Sequence, residues 1–495
     1  MDFRRLIVLL LLAAPVQLAA QQQPTPNSAF AAPADSTTHQ RFTSTGSRSA
    51  FTVTAGTLPL IDSKGAQQAS VFYVAYLRDD AASASRPVTF VVNGGPGASS
   101  AYLHLGALGP RILSFGADGS LPASPAHLVD NPDSWLDLTD LVFLDPVGTG
   151  YSRPTSTADD AGRRFWGVRE DLESLAAFIN LYLSRNNRMA SPKYIVGESY
   201  GGFRAAQLPQ LLDDERGISI SGIFLISPVI EFSLQAGGEF NPLTDVLRLP
   251  SFAAVNLERS KQLSPAMLAN AERFALGPYL TALAGTPHDR AALGPIISEV
   301  ARLTGLPESV VAQHDGRVPV AVFTKEIRRA DKLLVSRYDG SFAGPDPYPE
   351  AGGTRSDPLY DGLRAALTAG MSEYAVNGLG LHTDLPYRVS NGRIARQWNW
   401  RSGLSGDTGY AGAADSLRES LASNPRFKVI IAHGMTDLVT PYLASRFVVD
   451  HLPPSLVASR VTLDLFSGGH MMYLRADSRS RLHADAAKLY PAPPL

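Results

Sequence analysis

The sequence predicts an α/β protein built on a mostly parallel central sheet with helices on both faces. Short apolar runs recur along the chain, and several end in a glycine-rich turn that leads into a helix-like stretch. Strands buried within a parallel sheet read as continuous apolar runs, because helices cover both faces. The runs that we assign to strands are 88–92, 141–144, 194–196, 223–226 and 428–432.

Two further segments lie outside this alternation. The β-prone runs 51–54 and 70–77 flank a turn at 62–65, and they predict a β-hairpin. Residues 231–394 interrupt the pattern with helical pieces and proline-rich loops. We expect this stretch to form a cap inserted over the carboxyl edge of the sheet, where folds of this class bind ligands.

The expected domain organisation follows from this interruption. The two parts of the core are residues 41–230 and 395–495, and the cap 231–394 separates them. Residues 21–40 are rich in Gln, Pro, Ser, Thr and Ala and poor in bulky apolar side chains, so we expect a flexible lead-in there.

Composition excludes several classes of function. Charge is nearly balanced, with 44 Lys and Arg against 46 Asp and Glu, and no long run of one sign supplies the footprint of a nucleic-acid partner. The chain has no cysteine, so it forms no disulfide, thiolate nucleophile or Cys-ligated zinc site. Nothing in the sequence indicates a metal, an organic cofactor or an oligomeric state.

Residues 1–20 have the three parts of a secretory signal peptide. Arg4 and Arg5 precede the apolar run 6–14, and small residues end the segment at Ala20. The apolar run is too short to cross a bilayer, which takes about 20 residues. We therefore expect export to the periplasm or the extracellular space, and no stable membrane span elsewhere in the chain.

The pattern Gly197-Glu-Ser-Tyr-Gly201 predicts a nucleophile at Ser199. An apolar strand precedes it and a helix-like run follows it. The glycines permit a sharp strand-to-helix turn that holds a serine hydroxyl clear of the sheet.

Such a serine needs a base and an orienting acid. Asp437 follows the strand 428–432, and His470 follows the apolar run 461–466, so both lie in loops at strand ends. The order Ser, Asp, His is that of the α/β-hydrolase fold. His451 and His483 also follow Asp437, but one precedes the final strand and the other lies in a helix-like tail.

Acyl transfer also needs donors for an oxyanion. One is the backbone N–H after the nucleophile, which belongs to Tyr200. The other comes from a loop after an earlier strand, and we assign it to Gly95 in Asn93-Gly-Gly-Pro-Gly97.

Four blocks of sequence resemble the serine carboxypeptidase family, peptidase family S10. The blocks are 93–100, 131–135 with 143–152, 197–202 and 469–471. The resemblance implies that a peptide substrate loses its C-terminal amino acid through an acyl-enzyme. It also implies that Asn93 and Glu198 grip the terminal carboxylate, and that Met471 lines the pocket for the leaving residue.

The chain departs from the family at several positions. The family's Cys is Ala98, its Trp is Val91, and a Glu that shares a proton with the Glu beside the serine is Ala107. Without this partner, Glu198 is expected to ionise more readily, unless the cap or another acid compensates. Peptidase activity should then fall at a lower pH than in relatives with the pair, unless Arg111 or His104 takes over carboxylate binding. Two alternatives stay open: an esterase or acyltransferase on the same scaffold, and a non-catalytic binding module.

Overall fold

The computed structural model describes residues 32–44, 47–81, 85–156, 158–235, 240–285, 290–402 and 411–490. The predicted signal peptide at 1–20 lies outside the described residues, as does the lead-in up to residue 31. No helix within the described ranges combines the length and the apolar character that a bilayer-spanning segment requires.

The strands of the described chain form one large sheet and two small ribbons. They are β1 Ser36–Ser44, β2 Ser47–Ile61, β3 Gln67–Arg78, β4 Val88–Val92, β5 Arg111–Leu113, β6 Leu128–Asp130, β7 Asp140–Leu144, β8 Arg153–Pro154, β9 Lys193–Glu198, β10 Gly222–Ile226, β11 Leu333–Val335, β12 Ala343–Pro345, β13 Lys428–Gly434 and β14 Val461–Phe466. The order across the large sheet is β1-β2-β3-β7-β4-β9-β10-β13-β14, with β8 paired to β3. β5 pairs with β6, and β11 pairs with β12.

Strand pairing in the large sheet changes once, from antiparallel to parallel. β1, β2, β3 and β7 pair antiparallel in turn, and every pairing from β7 to β14 is parallel. The chain runs from β4 out to β7 and then returns to β9 on the other side of β4. Ligands bind at the carboxyl ends of the strands where such a reversal occurs. This sheet, with its helical layers, is the predicted α/β-hydrolase fold.

Helices occupy both faces of the sheet and the insertion. They are α1 Ala101–Leu103, α2 Ala158–Phe165, α3 Val168–Arg185, α4 Tyr200–Arg216, α5 Leu243–Arg259, α6 Pro265–Phe274, α7 Leu280–Ala284, α8 Arg290–Thr304, α9 Glu308–Gln313, α10 Val320–Glu326, α11 Tyr360–Asn377, α12 Gly392–Gln397, α13 Ala414–Ser423, α14 Tyr442–Asp450, α15 Pro454–Val457 and α16 Ala476–Ala487.

Two apolar clusters fill the space between the sheet and its helices. Alternate residues of each strand point to opposite faces, so Ile195 of β9 packs with α3 and α4, whereas Val196 packs with α11 and α16. A third cluster lies within the insertion, where α5, α8 and α10 pack together, and it also contains Leu438 from the loop after β13.

The structure differs from two boundaries expected from the sequence. Residues 36–40 belong to β1, which pairs with β2 through the register Gln40↔Phe51, so the flexible lead-in is wrong there. Buried Phe42 on the same strand packs in the second cluster and stabilises it. The helix α11 lies inside the range expected to be cap, but it covers the sheet face through Leu363, Leu367 and Met371. The predicted hairpin is confirmed as β2 and β3.

Candidate active site

Ser199 lies at the sharp turn between β9 and α4. Its φ of 60° and ψ of −123° are unusual for a non-glycine residue, and the turn is held by the bonds Ser199 N–H to Ile226 O (3.0 Å) and Val229 N–H to Ser199 O (3.2 Å). A Cβ at Gly197 would overlap the carbonyl oxygen of Gly201. The side chain of Ser199 is half-buried between the fully buried Glu198 and Tyr200. This is the geometry of a nucleophile elbow.

Asp437 and His470 form the predicted acid–base pair. His470 Nδ1 lies 2.8 Å from Asp437 Oδ2, and both side chains are buried. Because a carboxylate only accepts hydrogen bonds, the proton resides on Nδ1, which leaves Nε2 free as a base. Burial lowers the pKa of His470, but the charge and hydrogen bond of Asp437 outweigh it, so that the pKa is raised above its ordinary value.

The loop after β13 locks Asp437 in place. Asp437 Oδ1 accepts the backbone N–H groups of Val439 (2.8 Å) and Thr440 (2.9 Å). The Thr440 hydroxyl lies 2.6 Å from Asp437 Oδ2 and 3.0 Å from His470 Nδ1. These contacts fix the carboxylate in the orientation that holds the imidazole ring.

The loop after β10 forms hydrogen bonds with both Ser199 and His470. Ser227 donates its hydroxyl to the carbonyl of His470 (2.8 Å), while Val229 donates to the carbonyl of Ser199. The described residues show no hydrogen bond between Ser199 Oγ and His470 in this structure, so the contact between nucleophile and base stays a prediction. Catalytic hydrogen bonds are often long in the absence of substrate.

The predicted oxyanion donors lie on adjoining segments. The Tyr200 N–H opens α4 and has no partner within the helix, and the glycine loop 93–97 packs on it so closely that a Cβ at Gly94 would overlap the backbone there. Gly95 has a φ of 105°, which favours glycine. The donor roles of Gly95 and Tyr200 stay predictions.

Arg204 is hydrogen-bonded to the backbone of the glycine loop. Its guanidinium is fully buried and forms a bidentate pair with Asp171, at 2.7 and 3.0 Å. The same group donates to the carbonyl of Asn93 and lies over the Tyr200 ring at 4.9 Å. Arg204 therefore couples α3 and α4 to the loop that carries Gly95.

Glu198 and Asn93 are in direct contact beside the nucleophile. Asn93 donates its side-chain amide to Glu198 Oε2, and the Tyr473 hydroxyl donates to Glu198 Oε1 at 2.9 Å. The Asn93 side-chain oxygen accepts the backbone N–H of Leu103 at 3.1 Å, which fixes the amide orientation. Burial raises the pKa of Glu198 to about 7, while His470, Tyr473 and Asn93 act in the opposite direction.

The expectation that Glu198 ionises more readily than in relatives that carry the pair stays a prediction. Ala107 supplies no carboxyl partner, yet burial, together with the charge of Asp437, outweighs the groups that favour the ionised form and raises the pKa of Glu198. The two substitutes considered for carboxylate binding have other partners in this structure. His104 is buried and bonded to Tyr76 at 2.7 Å, and Arg111 pairs with Asp130 at 2.6 Å.

Met471 is buried directly after His470 and borders a cavity of about 450 Å³. Apolar atoms of Leu359, Phe342 and Leu474 line one part of this cavity. Arg475 lines another part, paired with Glu258 at 3.1 Å. The cavity is thus mixed in character, and the role of Met471 toward a leaving residue stays a prediction.

Sequence reasoning missed several residues that shape the site: Arg204, Ser227, Thr440, Tyr338 and Tyr473. An arginine in an otherwise apolar stretch after the elbow was a usable indication for Arg204. The others follow no motif, because loops distant in sequence bring them together. The two histidines that were set aside lie elsewhere, His451 on the carbonyl of Phe447 and His483 on Asp137.

Comparisons with known proteins agree with this geometry. Residues 47–246 match the family described as serine carboxypeptidase. Serine carboxypeptidase-like 26 of Arabidopsis thaliana is 32% identical over 152 residues, which are 30% of this chain and 31% of that protein. The Carboxypeptidase Y homolog of Arthroderma benhamiae is 30% identical over 159 residues, 31% of this chain and 29% of that protein.

The matches are partial in length. The chain spans about a third of the length of the curated relatives that it matches. Among solved structures, a proline iminopeptidase from Mycobacterium smegmatis is similar at 16% identity and a TM-score of 0.37, over 88% of this chain and 96% of that one. The matched segment carries the glycine loop, the elbow and the strands that join them. Through residues 47–246, the chain is similar to the serine carboxypeptidase family.

Proposed function

We propose that this protein is a serine-type carboxypeptidase, which releases C-terminal amino acids from peptides through an acyl-enzyme on Ser199. The observation that carries the proposal is a buried carboxyl that can be neutral, Glu198, directly beside a strained serine. The similarity of residues 47–246 to the serine carboxypeptidase family supports the same activity.

In the proposed mechanism, His470 Nε2 accepts the Ser199 proton as Oγ attacks the scissile carbonyl. The N–H groups of Gly95 and Tyr200 stabilise the oxyanion. The imidazolium, held by Asp437, then donates its proton to the leaving amine. Water repeats the sequence on the acyl-enzyme and restores Ser199.

The terminal carboxylate of the peptide is proposed to bind at Asn93 and Glu198. One amide hydrogen of Asn93 is already donated to Glu198, and the second is available to a ligand. A protonated Glu198 donates a hydrogen bond to a carboxylate, whereas an ionised Glu198 repels it. A pKa of about 7 allows the protonated form near neutral pH.

The test combines active-site labelling with peptide sequencing. Ser199→Ala should abolish labelling by a fluorophosphonate and lower kcat by about 10⁶, and Asp437→Asn should lower kcat by about 10⁴. Ser251→Ala is a matched control, because this buried serine of α5 has a hydroxyl without a partner within the described chain. Mass spectrometry of a peptide library should show trimming from the carboxyl end.

Other outcomes would decide against the proposal. Labelling of Ser199 without trimming of any peptide would favour an esterase or acyltransferase on this scaffold. A wild-type chain that reacts with no fluorophosphonate would favour a binding module. Near-full turnover of a folded Asp437→Asn variant would contradict the assignment of the acid.

We also propose export with removal of residues 1–20, on the strength of their sequence pattern. The removed segment carries Asp2, Arg4 and Arg5, so the formal charge of the remaining chain becomes −2 − (+1) = −3. Intact-mass measurement on extracellular or periplasmic protein tests this. Recovery of only the full-length chain from the cytoplasm would contradict it.

A further inference from the structure

Three tyrosines form a wall beside the candidate base, which we call the tyrosine wall: Tyr102, Tyr338 and Tyr360. Tyr360 stacks on Tyr338 with ring centroids 4.7 Å apart and on Tyr102 at 6.3 Å. The Tyr338 ring meets His470 edge-on at 5.7 Å. The hydroxyls of Tyr102 and Tyr360 both bond to Ser390, at 2.9 and 3.0 Å. The wall therefore starts at the imidazole, and the bonds to Ser390 hold the Tyr102 and Tyr360 hydroxyls together.

Arg337 extends its guanidinium over the Tyr338 ring, at the end of this wall that meets His470. Its guanidinium carbon lies 5.1 Å from the Tyr338 ring centroid, and its side chain is exposed. The backbone is fixed on both sides, because the Arg337 N–H bonds to Asp357 Oδ2 (3.0 Å) and its carbonyl accepts the N–H of Leu438 (3.1 Å). Leu438 directly follows the catalytic acid. The loop that carries Arg337 is thus attached to the acid–base pair.

This loop also contacts the base itself. The backbone N–H of His470 donates to the carbonyl of Tyr338 at 2.5 Å. A Cβ at Gly469 would overlap the backbone of Tyr338 and Asp339, so the two loops pack against each other directly. Movement of Arg337 relative to His470 is therefore limited to its own side-chain torsions.

The neighbouring carboxylates are occupied by other groups. Asp357 accepts the Ser336 hydroxyl (2.8 Å) and the N–H of Tyr360 (3.0 Å). Asp339 accepts the Thr436 hydroxyl at 2.8 Å and lies 3.5 Å from Arg475. Arg337 takes part in none of the ion pairs found within the described ranges. Its positive charge lowers the pKa of His470, against the effect of Asp437.

Because Arg337 takes part in no ion pair among the described residues, its charge disfavours the His470 imidazolium that the reaction forms. It becomes favourable when a substrate brings a negative charge to the same place. Because His470 protonates the leaving amine in the proposed mechanism, the residue that leaves must lie next to the imidazole. Tyr338, which flanks His470, is therefore placed where a contact to this residue is expected.

We infer that Arg337 binds a carboxylate of the leaving residue and is a specificity-determining residue for it. The inference rests on the proposed function and names its substrate class: peptides whose last residue carries an anionic group within reach of the wall. That group is either the terminal carboxylate, which Arg337 would then share with Asn93 and Glu198, or the side chain of a C-terminal Asp or Glu. A guanidinium binds a carboxylate through two parallel hydrogen bonds, and the tyrosine wall supplies an apolar surface for the rest of the residue.

The test uses four blocked dipeptides that share the first residue and end in leucine, leucinamide, glutamate or glutamine. Values of kcat/KM are measured for wild type, Arg337→Gln and Arg337→Lys. Loss of a charge near His470 affects all substrates alike, so the ratios between substrates are the readout. Arg302→Gln is the matched control, since it removes an exposed cation from α8 in the insertion.

If Arg337 binds the terminal carboxylate, Arg337→Gln should lower kcat/KM for leucine relative to leucinamide by about 10- to 100-fold. If it binds the side chain, the same loss should appear for glutamate relative to glutamine. Arg337→Lys should restore part of either ratio, because it keeps the charge without the planar fork. Ratios equal to those of wild type would overturn the inference.

A second readout does not require peptidase activity. N-acetylglutamate should protect Ser199 from a fluorophosphonate in wild type, and about tenfold more should be needed in Arg337→Gln. If wild type cleaves none of the four dipeptides, the proposed function fails, and the protection ratio still decides on Arg337. Equal protection of both proteins would overturn the inference even in an active carboxypeptidase.

Discussion

At the scale of single residues, the pKa of Glu198, next to Ser199, is set by burial and by the hydrogen bonds from Tyr473 and Asn93. Both donate hydrogen bonds to Glu198, and such bonds favour the ionised form. Burial acts in the opposite direction and is the larger effect, so the pKa of Glu198 is raised to about 7. The base His470 also has a raised pKa. The two groups interact, so a pH profile reports on the pair.

We expect kcat/KM for peptides with a free terminal carboxylate to fall as pH rises through about 7, because Glu198 then ionises. Tyr473→Phe removes a hydrogen bond to the ionised form and should move this fall to higher pH. The measurement is kcat/KM against pH on one blocked dipeptide. Its C-terminal amide is the control, since a substrate without a carboxylate should not show the fall. A Tyr473→Phe profile moved to lower pH would contradict this account.

At the scale of elements, the turn from β9 to α4 depends on close approach of the backbone. The backbone of Gly197 packs against that of Gly201, and Gly201 lies against the carbonyl of Val92 in the neighbouring strand β4. A methyl group at Gly201 would separate the elbow from the strand that leads to the glycine loop, and one at Gly197 would force β9 away from the first turn of α4. The glycines thus set the distance between Ser199 and its oxyanion donors.

Gly197→Ala should therefore lower the free energy of unfolding by at least about 2 kcal/mol, because backbone cannot move aside as a side chain can. Gly294→Ala is the matched control. This glycine lies within α8, and a Cβ there would meet nothing within 4 Å. That variant should be more stable by about 0.5–1 kcal/mol. Urea denaturation measures both, and a Gly197→Ala protein as stable as wild type would show that the turn is looser than described.

At the scale of the whole molecule, ionisable groups buried inside the protein couple folding to pH. His104 is buried beneath the sheet, stacked on Phe143 at 4.1 Å and bonded to Tyr76. Burial lowers the pKa of His104 from 6.5 to about 3. At pH values between 6.5 and about 3, the unfolded chain binds a proton on His104 that the folded chain does not. Stability is therefore fully present above pH 6.5 and is lost as pH falls toward 3.

For His104 alone, the loss between pH 6.5 and about pH 5 should be about 2 kcal/mol. His104→Gln retains a group that can bond to Tyr76 but does not titrate, so the free energy of unfolding should depend less steeply on pH. Urea denaturation at several pH values measures the slope. His451→Gln, at an exposed histidine, should keep the wild-type slope. An unchanged slope in His104→Gln would contradict the assignment.

Local sequence determined much of the protein. Apolar runs identified the central strands because strands buried on both faces have no room for polar side chains. The glycine spacing around Ser199 identified the elbow, since only glycine permits the backbone contact that the turn needs. The order of Ser199, Asp437 and His470 followed from strand ends alone, and the Asp437–His470 pair is indeed in contact. Each of these features is recognised from residues that lie close together in the chain.

Tertiary structure decided the rest. The raised pKa of Glu198 arises from burial and from Tyr473, which lies 275 residues away along the chain. Helix α11 looked like part of a cap, but its apolar side chains pack on the sheet. Arg337 carries no motif, and its place beside His470 follows from the packing of two loops. Sequence thus determined the elements and indicated the candidate reacting groups, whereas desolvation and contacts between distant loops, which no local pattern encodes, set their electrostatics and their surroundings.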